Sequence, residues 1–310
     1  MNLHQFRFVH EAAKRQLNLT EVAKSLHTSQ PGVSKAIIEL EEELGIDIFG
    51  RHGKRLKRVT EPGQQVLKCI DIILREVNNL KRIGEQYSAQ DTGTLSIATT
   101  HTQARYVLPG PVAQMRRAYP DVTVRLHQGA PEQVAQMVLE ESADIGIATE
   151  SLSQHENLVS LPCYEWQHVL VMPQKHPLAQ GPLDLLGLSQ HDLVTYHPSF
   201  TGRSRIDQAF KQQGLTPKIA LEAIDSDVIK TYVSLGLGVG IIASVAYDDR
   251  RDQNLIAIDA GHLFPQNTTF VAIRKHAYLR DFALDFIASF APSLSAERVT
   301  EVLQNHRFGE

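Results

Sequence analysis

Three polar side chains in the N-terminal third are suited to contacting DNA. In the stretch TSQPGVSKAIIELEEELG, Gln30, Ser34 and Lys35 fall at the start of a predicted helix whose apolar residues come later. A recognition helix needs small and polar residues at the end that approaches base edges and phosphates. Gln30 can reach an adenine edge, and Ser34 and Lys35 a base or a phosphate. A plain capped surface helix is the alternative, and such patterns have many false positives.

The next stretch, FGRHGKRLKRVTEPG, is strongly basic, with no acid between Asp47 and Glu61. Gly50 and Gly53 predict a tight hairpin, and a basic hairpin after a helix-turn-helix is typical of a wing along the phosphate backbone. A solvated charged loop is the less favoured alternative. The expected DNA-contacting residues are Ser29, Gln30, Pro31, Ser34, Lys35, Arg51, Lys54 and Arg55.

A second group of polar residues lies at predicted strand ends and helix starts. ATTHTQARY places Thr100, Thr102 and Gln103 at one such junction, and FTGRSR places Thr201 and Gly202 at another. Free N–H groups, hydroxyls and the positive end of a helix together bind anions. Each run alone is explained by capping, but their coincidence in both halves predicts a site for a small oxyanion or carboxylate.

Two neighbouring positions extend this expected ligand site. Thr149 and Glu150 end another predicted strand and are placed to receive a polar or amine-bearing part of the ligand. Trp166 follows the expected crossover between two lobes, where it either lines the cleft or fills a core or hinge position. The expected ligand site comprises Thr100, Thr102, Gln103, Thr149, Glu150, Trp166, Thr201 and Gly202.

Three short helices are expected to position the DNA-contacting residues. Apolar spacing predicts a first helix over 3–15, and Thr20 is the expected cap of a second. Thr28 or Ser29 caps the third, with Pro31 in its first turn. The second and third form a helix-turn-helix. The expected buried side of the third helix is Val33, Ile37, Ile38, Leu40 and Leu44.

A long helix capped by Thr60 follows, and the segment 88–93 is the expected linker after it. Its apolar residues alternate spacings of three and four, which favours pairing with a second copy of the helix. Packing on its own domain is the alternative. The predicted seam is Gly63, Val66, Ile70, Ile73, Val77, Leu80, Gly84 and Tyr87.

The C-terminal two-thirds alternates strand-like and helical patterns, which predicts two α/β lobes with parallel sheets and a ligand crevice between them. The predicted fold is therefore α/β: a winged helix-turn-helix domain, a long linker helix and a two-lobed domain resembling periplasmic binding proteins. The expected boundaries are 1–59 for the DNA-binding domain, 60–88 for the linker and dimerisation helix, 92–164 and 268–292 for lobe I, 165–267 for lobe II and 293–310 for a C-terminal tail.

Composition and missing motifs narrow the function. Basic residues exceed acidic ones by three in 1–90, whereas acidic residues exceed basic ones by seven in 91–310, so one end is expected to meet a polyanion. Cys69 and Cys163 form no CxxC pair, and neither a signal peptide nor an apolar run of membrane-spanning length is present, which predicts a cytoplasmic protein. Histidine spacing predicts no metal site, and no catalytic or cofactor motif is evident, so we expect neither an enzyme nor a cofactor.

The chain resembles the LysR-type transcriptional regulators along its whole length, through TSQPGVSKAIIELEEELGIDIFGR. Within that family, TTHTQARY, ATE, FTGRSR and DSDVIKTYVSLGLGVG resemble the CysB-like subgroup. The resemblance implies a homotetramer, a dimer of dimers, that binds double-stranded promoter DNA, works with RNA polymerase and activates sulfur-assimilation and cysteine-biosynthesis genes. It implies an acetylserine or a small sulfur oxyanion as effector. The effector-site residues that it implies are Thr100, Thr102, Gln103, Thr149 and Thr201.

Two alternatives stay open. One is a specialised paralogue that controls sulfonate or sulfate-ester utilisation genes. The other is a cytosolic small-molecule-binding protein or enzyme whose N-terminal helices only dimerise. The basic hairpin and the opening Gln30–Pro31 favour DNA binding, because a dimerisation arm needs neither. The chain after Ser295 carries no motif that predicts a role.

Overall fold

The computed structural model describes residues 1–53, 55–88, 91–181 and 183–308, without the side chains of Thr201 and 306–308. The chain divides into two compact units, Met1–Glu85 and Gln86–Glu310. Each unit is described by itself.

The first unit contains the predicted helix-turn-helix and hairpin. Its elements are α1 (Leu3–Lys14), α2 (Leu19–Ser25), α3 (Gln30–Leu44), β1 (Phe49–His52), β2 (Arg55–Val59) and α4 (Glu61–Ser88), the last of which runs into the second unit. The predicted cap of α2 is wrong: Asn18 rather than Thr20 accepts the first free N–H groups, since the helix begins one residue before Thr20. Ser29 caps α3 by accepting the Gly32 N–H at 3.3 Å.

Only part of the predicted apolar face of α3 is buried in the core of this unit. Val33, Ile37 and Leu40 are fully buried, whereas Ile38 and Leu44 are more than one-third exposed. Ile38 lies one position off the buried stripe, and Leu44 is the last residue of the helix, where the core ends. The prediction was wrong for these two residues.

The predicted apolar seam of α4 divides into two parts. Thr60 caps the helix as predicted, with its Oγ1 accepting the Gly63 N–H at 2.9 Å. Ile70 is buried in the core of the first unit, so this half of the seam packs on its own domain. Farther along, Leu80 and Tyr87 are 68% and 79% exposed. Ile73 is also 38% exposed, so the apolar seam residues left for pairing with another helix include Ile73, Leu80 and Tyr87.

The second unit contains two five-stranded sheets. The first sheet, in lobe I, contains β3 (Thr92–Thr99), β4 (Asp121–Gln128), β5 (Ile145–Ala148) and β6 (Leu158–Trp166). The second sheet, in lobe II, contains β7 (His168–Pro173), β8 (Asp192–Tyr196), β9 (Lys218–Ala223), β10 (Val239–Ala243) and β11 (Leu255–Asp259). The chain then returns to lobe I, where β12 (Asn267–Arg274) is the fifth strand of the first sheet. The strand orders are β4-β3-β5-β12-β6 and β11-β7-β10-β8-β9. The helices are α5 (Pro109–Ala118), α6 (Pro131–Leu139), α7 (Leu185–Ser189), α8 (Thr201–Gln212), α9 (Ser226–Ser234), α10 (Asp281–Phe290) and α11 (Ala296–Phe308).

Both sheets are mixed, so the prediction of parallel sheets was wrong. In lobe I, β3 pairs in parallel with β4 and β5, but β12 is antiparallel to β5 and β6. In lobe II, β8 pairs in parallel with β9 and β10, but β7 is antiparallel to β10 and β11. The antiparallel strands are those that enter or leave a lobe at the two crossovers, which no βαβ unit constrains.

Residues 103–118 form two consecutive helical segments rather than one continuous helix. Residues Gln103–Val107 form a π-helical turn, and α5 begins separately at Pro109. Leu108 keeps helical backbone angles (φ −70°, ψ −21°), and Pro109 lies in the first turn of α5, where the N–H that proline lacks has no partner within the helix. The π-helical turn begins at Gln103, which lines the space between the lobes. Single π-helical turns of this kind are frequent at functional sites.

Candidate functional site

A groove on the first unit brings together most of the predicted DNA-contacting residues. It lies between the start of α3 and the β1–β2 hairpin and is lined by Gln30, Pro31, Ser34, Lys35, Ile38, Glu39, Glu42, Arg51 and Gly53. Lys35 is 78% exposed and forms a surface ion pair with Glu39 at 3.6 Å. Because an exposed pair of this kind contributes little free energy, the ammonium can exchange Glu39 for a phosphate. The groove therefore presents hydroxyl, amide and cationic groups on one concave surface.

A buried carboxylate positions the hairpin against α3. Glu41 is buried, and its Oε1 accepts the N–H groups of Ile48 and Phe49 at 2.9 and 3.0 Å. Its other oxygen pairs with the Arg51 guanidinium. Arg51 thus has a structural partner inside the protein while it lines the groove, because its charge offsets the buried carboxylate.

The remaining predicted DNA contacts lie beside the groove. Ser29 is the N-cap of α3, so its hydroxyl oxygen already has a backbone partner. Arg55 begins β2 and is exposed, and Lys57 and Arg58 follow it on the same strand. Lys54 lies outside the described residues.

A small cavity lies between the two lobes of the second unit. Its volume is about 40 Å³. It is lined by Thr100, Thr102, Gln103, Pro131, Thr149, Trp166, Tyr196, Phe200, Gly202, Ala243 and Val245. Residues from both lobes therefore surround one space, at the strand ends where ligands bind in α/β proteins.

Two of the predicted ligand-site residues have a different placement from the others. Glu150 does not line the cavity; its Oε1 accepts the Thr268 N–H at 2.6 Å and pairs with Arg205 at 2.9 Å. Thr201 begins α8, but its side chain lies outside what the structure describes. The six others predicted for the ligand site line the cavity.

The start of α8 supplies hydrogen-bond donors to this cavity. Its N-cap is Phe200, and no side chain caps it among the described residues. A Cβ on Gly202 would be 3.1 Å from His168 Nε2 and 3.3 Å from Trp166 Cη2, so glycine allows the helix to approach the wall closely. An uncapped helix start carries free N–H groups and partial positive charge.

Two residues that line the cavity carry buried polar atoms without a described hydrogen-bond partner. Thr149 is only 8% exposed, and its hydroxyl has no hydrogen-bond partner in the described part of the chain. The indole N–H of Trp166 is likewise buried without a described partner. Buried polar groups in native proteins are satisfied by protein, water or ligand. Together with the start of α8, these two donors can hold an anion.

Other polar groups in the wall are already engaged. Gln103 accepts a hydrogen bond from Tyr164 Oη at 2.5 Å and donates to Thr269 Oγ1 at 3.3 Å. Burial raises the pKa of Tyr164, so its phenol stays protonated and donates. This network fixes the Gln103 amide on the lobe I side.

Hydroxyl groups bridge the lobes beside the cavity. Thr102 Oγ1 in lobe I lies 3.3 Å from Ser226 Oγ in lobe II, and Ser226 lies 2.8 Å from the Tyr196 phenol oxygen. The phenol oxygen also accepts the Ala243 N–H at 3.0 Å. Any ligand that displaces Thr102 therefore acts directly on a contact between lobes.

A charged network makes a second bridge between the lobes. Tyr106 in lobe I donates to Asp227 at 2.7 Å, and the Lys230 ammonium donates to Tyr106 at 3.0 Å and to Asp252 at 2.9 Å. Arg105 pairs with Asp227 at 2.6 Å. Burial lowers the pKa of Lys230, but its bonds to Asp252 and Tyr106 outweigh burial and the pKa is raised overall. The buried ammonium is therefore charged and paired, which holds this arrangement of the lobes.

One described group has metal-ligand geometry: ligand atoms of His101, Asp225 and Asp227 lie within 4.8 Å of one another. Asp227 is also paired with Arg105 and Lys230. Two neighbouring cations disfavour a bound metal ion electrostatically.

Sequence reasoning missed several cavity residues. Tyr196 ends β8, a strand that was not predicted, and Phe200 follows it. Ala243 is the last residue of β10 and Val245 follows it, so the rule that ligands bind beyond strand ends would have found them. Pro131 begins α6 and gives no chemical signal.

These features define a helix-turn-helix protein joined to a two-lobed ligand-binding domain. Residues 3–64 match the family described as bacterial regulatory helix-turn-helix protein, lysR family, and residues 88–295 match the LysR substrate binding domain. The chain belongs to the LysR family of transcriptional regulators, as its resemblance predicted. Among the described helices, none has the length and hydropathy needed to cross a bilayer.

Individual relatives match over nearly the full chain. The chain is 52% identical to the HTH-type transcriptional regulator CysB of Burkholderia cenocepacia, over 98% of this chain and 97% of the relative. It is 50% identical to the HTH-type transcriptional regulator SsuR of the same organism, over 98% of this chain and 99% of the relative. The crystal structure of the cofactor-binding domain of the Cbl transcriptional regulator is 43% identical, with a TM-score of 0.66, and covers 68% of this chain and 93% of that one.

Proposed function

We propose that this protein controls transcription of sulfur-assimilation and cysteine-biosynthesis genes in response to a small effector held between the lobes. The observation that carries the proposal is the cavity itself. An uncapped helix start and two unpartnered buried donors meet there, between lobes that the chain connects at only two crossovers. Relatives named CysB and SsuR support the sulfur assignment.

The DNA-binding half of the proposal rests on the groove of the first unit. Gln30 and Ser34 present hydrogen-bonding groups from the first turns of α3, and Lys35 adds an exposed cation. Arg55 and Lys57 lie on the adjacent hairpin strand. Polar groups on α3 and cations on the hairpin match the base contacts that a recognition helix makes and the phosphate contacts that a wing makes. It disfavours a protein whose N-terminal helices only dimerise.

Cavity size limits which effectors fit this arrangement of the lobes. A cavity needs about 10–15 Å³ to hold one water molecule. The observed volume of about 40 Å³ therefore corresponds to a few waters, which suits an inorganic oxyanion. An acetylserine, about twice the size of a sulfate, requires the lobes to separate somewhat, with its carboxylate at the start of α8.

Effector control follows from contacts that differ between two arrangements of the lobes. A ligand shifts a conformational equilibrium only through its differential affinity for the two states. An effector touching Thr102 competes with the Thr102–Ser226 bridge, and one touching Thr149 and Gly202 joins the lobes. The resulting change in lobe arrangement would alter the spacing of the DNA-binding units and hence the bend of the DNA.

Assembly and cellular context complete the proposal. We propose a cytoplasmic dimer of dimers that acts with RNA polymerase, with the exposed apolar residues Leu80 and Tyr87 in the interface between paired α4 helices. We propose no catalytic activity.

A second candidate within the same class is a regulator specialised for sulfonate or sulfate-ester utilisation genes. The almost equal identity to the relatives named CysB and SsuR keeps this alternative open. The effector distinguishes them: an acetylserine supports a general cysteine regulator, and an oxyanion or its nucleotide adduct supports the specialised one.

Alanine substitutions test whether the hairpin contacts phosphates and α3 contacts bases. We expect Arg55→Ala with Lys57→Ala to weaken binding to all duplexes alike. The slope of log affinity against log salt should fall by about 0.9 for each phosphate that the variant no longer neutralises. Gln30→Ala is expected to lose about 1–3 kcal/mol on the preferred site and little on other sequences. Fluorescence anisotropy with specific and scrambled duplexes over a salt series measures both.

Glu39→Gln serves as a matched control, because it removes a groove charge of the opposite sign. It should leave affinity unchanged or increase it. Sequence-selective losses in the hairpin variant, or an unchanged salt slope, would show that the hairpin does not contact phosphates.

A further inference from the structure

One apolar side chain lies among the polar groups of the groove on the first unit. Ile38 lines this groove together with Ser34 and Lys35, and it is 38% exposed. Single apolar residues are common on protein surfaces and need no explanation by themselves. Ile38 differs from them in its position, because it lies on the surface that is expected to face DNA.

The core of the first unit fixes the side of α3 on which Ile38 lies. Val33, Ile37 and Leu40 are fully buried and prevent the helix from turning about its axis. Ile38 follows Ile37 by one residue, which is a rotation of about 100° around the helix. Ile38 therefore stays in the groove, since it could enter the core only if the buried residues left it.

Ile38 shares one face of α3 with residues that are expected to contact bases. It comes seven, four and three positions after Pro31, Ser34 and Lys35. Residues at these spacings lie side by side on a helix. The recognition helix of homeodomains contacts the major groove from four positions with the same spacing. Ile38 occupies the last position of such a set.

The charges around Ile38 favour base edges over the phosphate backbone. Glu39 and Glu42 line the same groove, and their carboxylates repel phosphates. A carboxylate can, however, accept a hydrogen bond from the amino group of cytosine. The cations Arg55 and Lys57 lie on the hairpin strand instead. Phosphate contacts therefore suit the hairpin, and the part of the groove around Ile38 suits base edges.

The major groove offers an apolar side chain one kind of partner. Thymine alone among the four bases carries a methyl group there, and the other groups that distinguish the base pairs are hydrogen-bond donors and acceptors. We propose that Ile38 recognises thymine by packing against its C5 methyl group. The inference rests on the proposed DNA-binding function and adds a specificity-determining residue to the polar contacts expected from Gln30, Ser34 and Lys35.

Deoxyuridine tests this contact, because it differs from thymidine only in lacking the methyl group. A preferred duplex is first selected from a random-sequence pool with the unmodified full chain. It is then synthesised with deoxyuridine in place of thymidine at one position after another, and fluorescence anisotropy measures the affinity of each duplex. We expect the unmodified chain to lose about fourfold in affinity for each contacted methyl group, as the burial of one apolar carbon predicts.

Ile38→Ala should bind the thymidine and deoxyuridine forms of that duplex equally, because it lacks the carbons that would contact the methyl group. Leu44→Ala is the matched control. It also removes three carbons from α3 at a residue that is 38% exposed, but Leu44 does not line the groove. This control should keep the preference of the unmodified chain for thymidine.

Two results would overturn the proposal and leave the DNA-binding function intact. One is that deoxyuridine weakens binding by the unmodified chain at no position of the preferred duplex. The other is that Ile38→Ala keeps the full preference for thymidine, which would assign the methyl contact to another residue. If the unmodified chain selects no duplex from the pool, the proposed DNA-binding function fails and the proposal with it.

Discussion

Gly63→Ala is expected to lower the free energy of unfolding of the first unit by about 3 kcal/mol and to abolish DNA binding under conditions where that unit melts. A Cβ at this position would lie 2.0 Å from the carbonyl oxygen of Ile48. That oxygen also accepts the Thr60 N–H at 3.0 Å, so it cannot move away without breaking the junction between the hairpin and α4. Chemical denaturation followed by circular dichroism measures the change.

Gly84→Ala is the control on the same helix. Apart from the neighbouring residues and the helix's own backbone, no described atom of the chain lies within 4 Å of a Cβ built there. Alanine favours a helix over glycine by up to about 1 kcal/mol, so this variant should be as stable as the unmodified chain or more stable. Equal stability of the two variants would contradict the close packing of Gly63 under the hairpin.

The second large effect concerns a buried histidine and acidic pH. His168 is fully buried beside Trp166 and Phe264, and both its ring nitrogens lack a described partner. Burial, with a smaller contribution from the Arg205 charge, lowers its pKa from 6.5 to about 3. Below pH 6.5 the unfolded chain binds a proton that the folded chain does not. Stability therefore falls by up to about 1.4 kcal/mol per pH unit between pH 6.5 and 3.

His168→Leu removes the side chain that takes up this proton on unfolding, and it breaks no hydrogen bond that the structure describes. The free energy of unfolding of the variant minus that of the unmodified chain is expected to rise by about 2 kcal/mol as the pH falls from 7.5 to 5, because only the unmodified chain is destabilised by the proton uptake. Paired denaturation curves at the two pH values measure the difference. A pH-independent difference between the two proteins would show that His168 is protonated or solvated in the folded state.

The DNA-binding end was predictable because its signals are local. The Ser29 cap, Pro31 in the first helical turn and the basic hairpin are consecutive features whose chemistry fixes the structure nearby. The seam of α4 was harder to interpret, since the same heptad spacing serves Ile70 inside the domain core and the exposed Leu80. Periodicity shows that a face is apolar but does not identify what covers it.

The cavity was predictable only in part, for a related reason. Thr100, Thr102 and Thr149 follow predicted strands, so the strand-end rule located them. Tyr196 was missed because its strand was missed. The placement of Glu150 depends on the Thr268 N–H, more than one hundred residues away, and sequence alone gives no sign of that competing partner.

The bridges between the lobes could not be predicted for the same reason. Tyr106 and Lys230 are separated by 124 positions and meet only because the chain crosses between lobes twice. Their individual residue types are ordinary in exposed helices. Contacts of this kind depend on the three-dimensional arrangement of the lobes, which also determines the size of the cavity.

Calorimetry of the unmodified chain and of Thr149→Val tests the central claim, that an effector held between the lobes controls DNA binding. The ligands are O-acetylserine, N-acetylserine, sulfate, thiosulfate and adenosine phosphosulfate, and each one that binds is then added to a DNA mobility-shift assay. The variant removes a buried hydroxyl that has no described partner, so the fold should be unaffected.

We expect at least one of these ligands to bind the unmodified chain and alter its DNA complex. Thr149→Val should bind that ligand about tenfold more weakly and need a correspondingly higher concentration for the same shift, as removal of a hydrogen bond to a charged group predicts. Binding by none of the five, or equal affinity and equal response in the variant, would contradict the account.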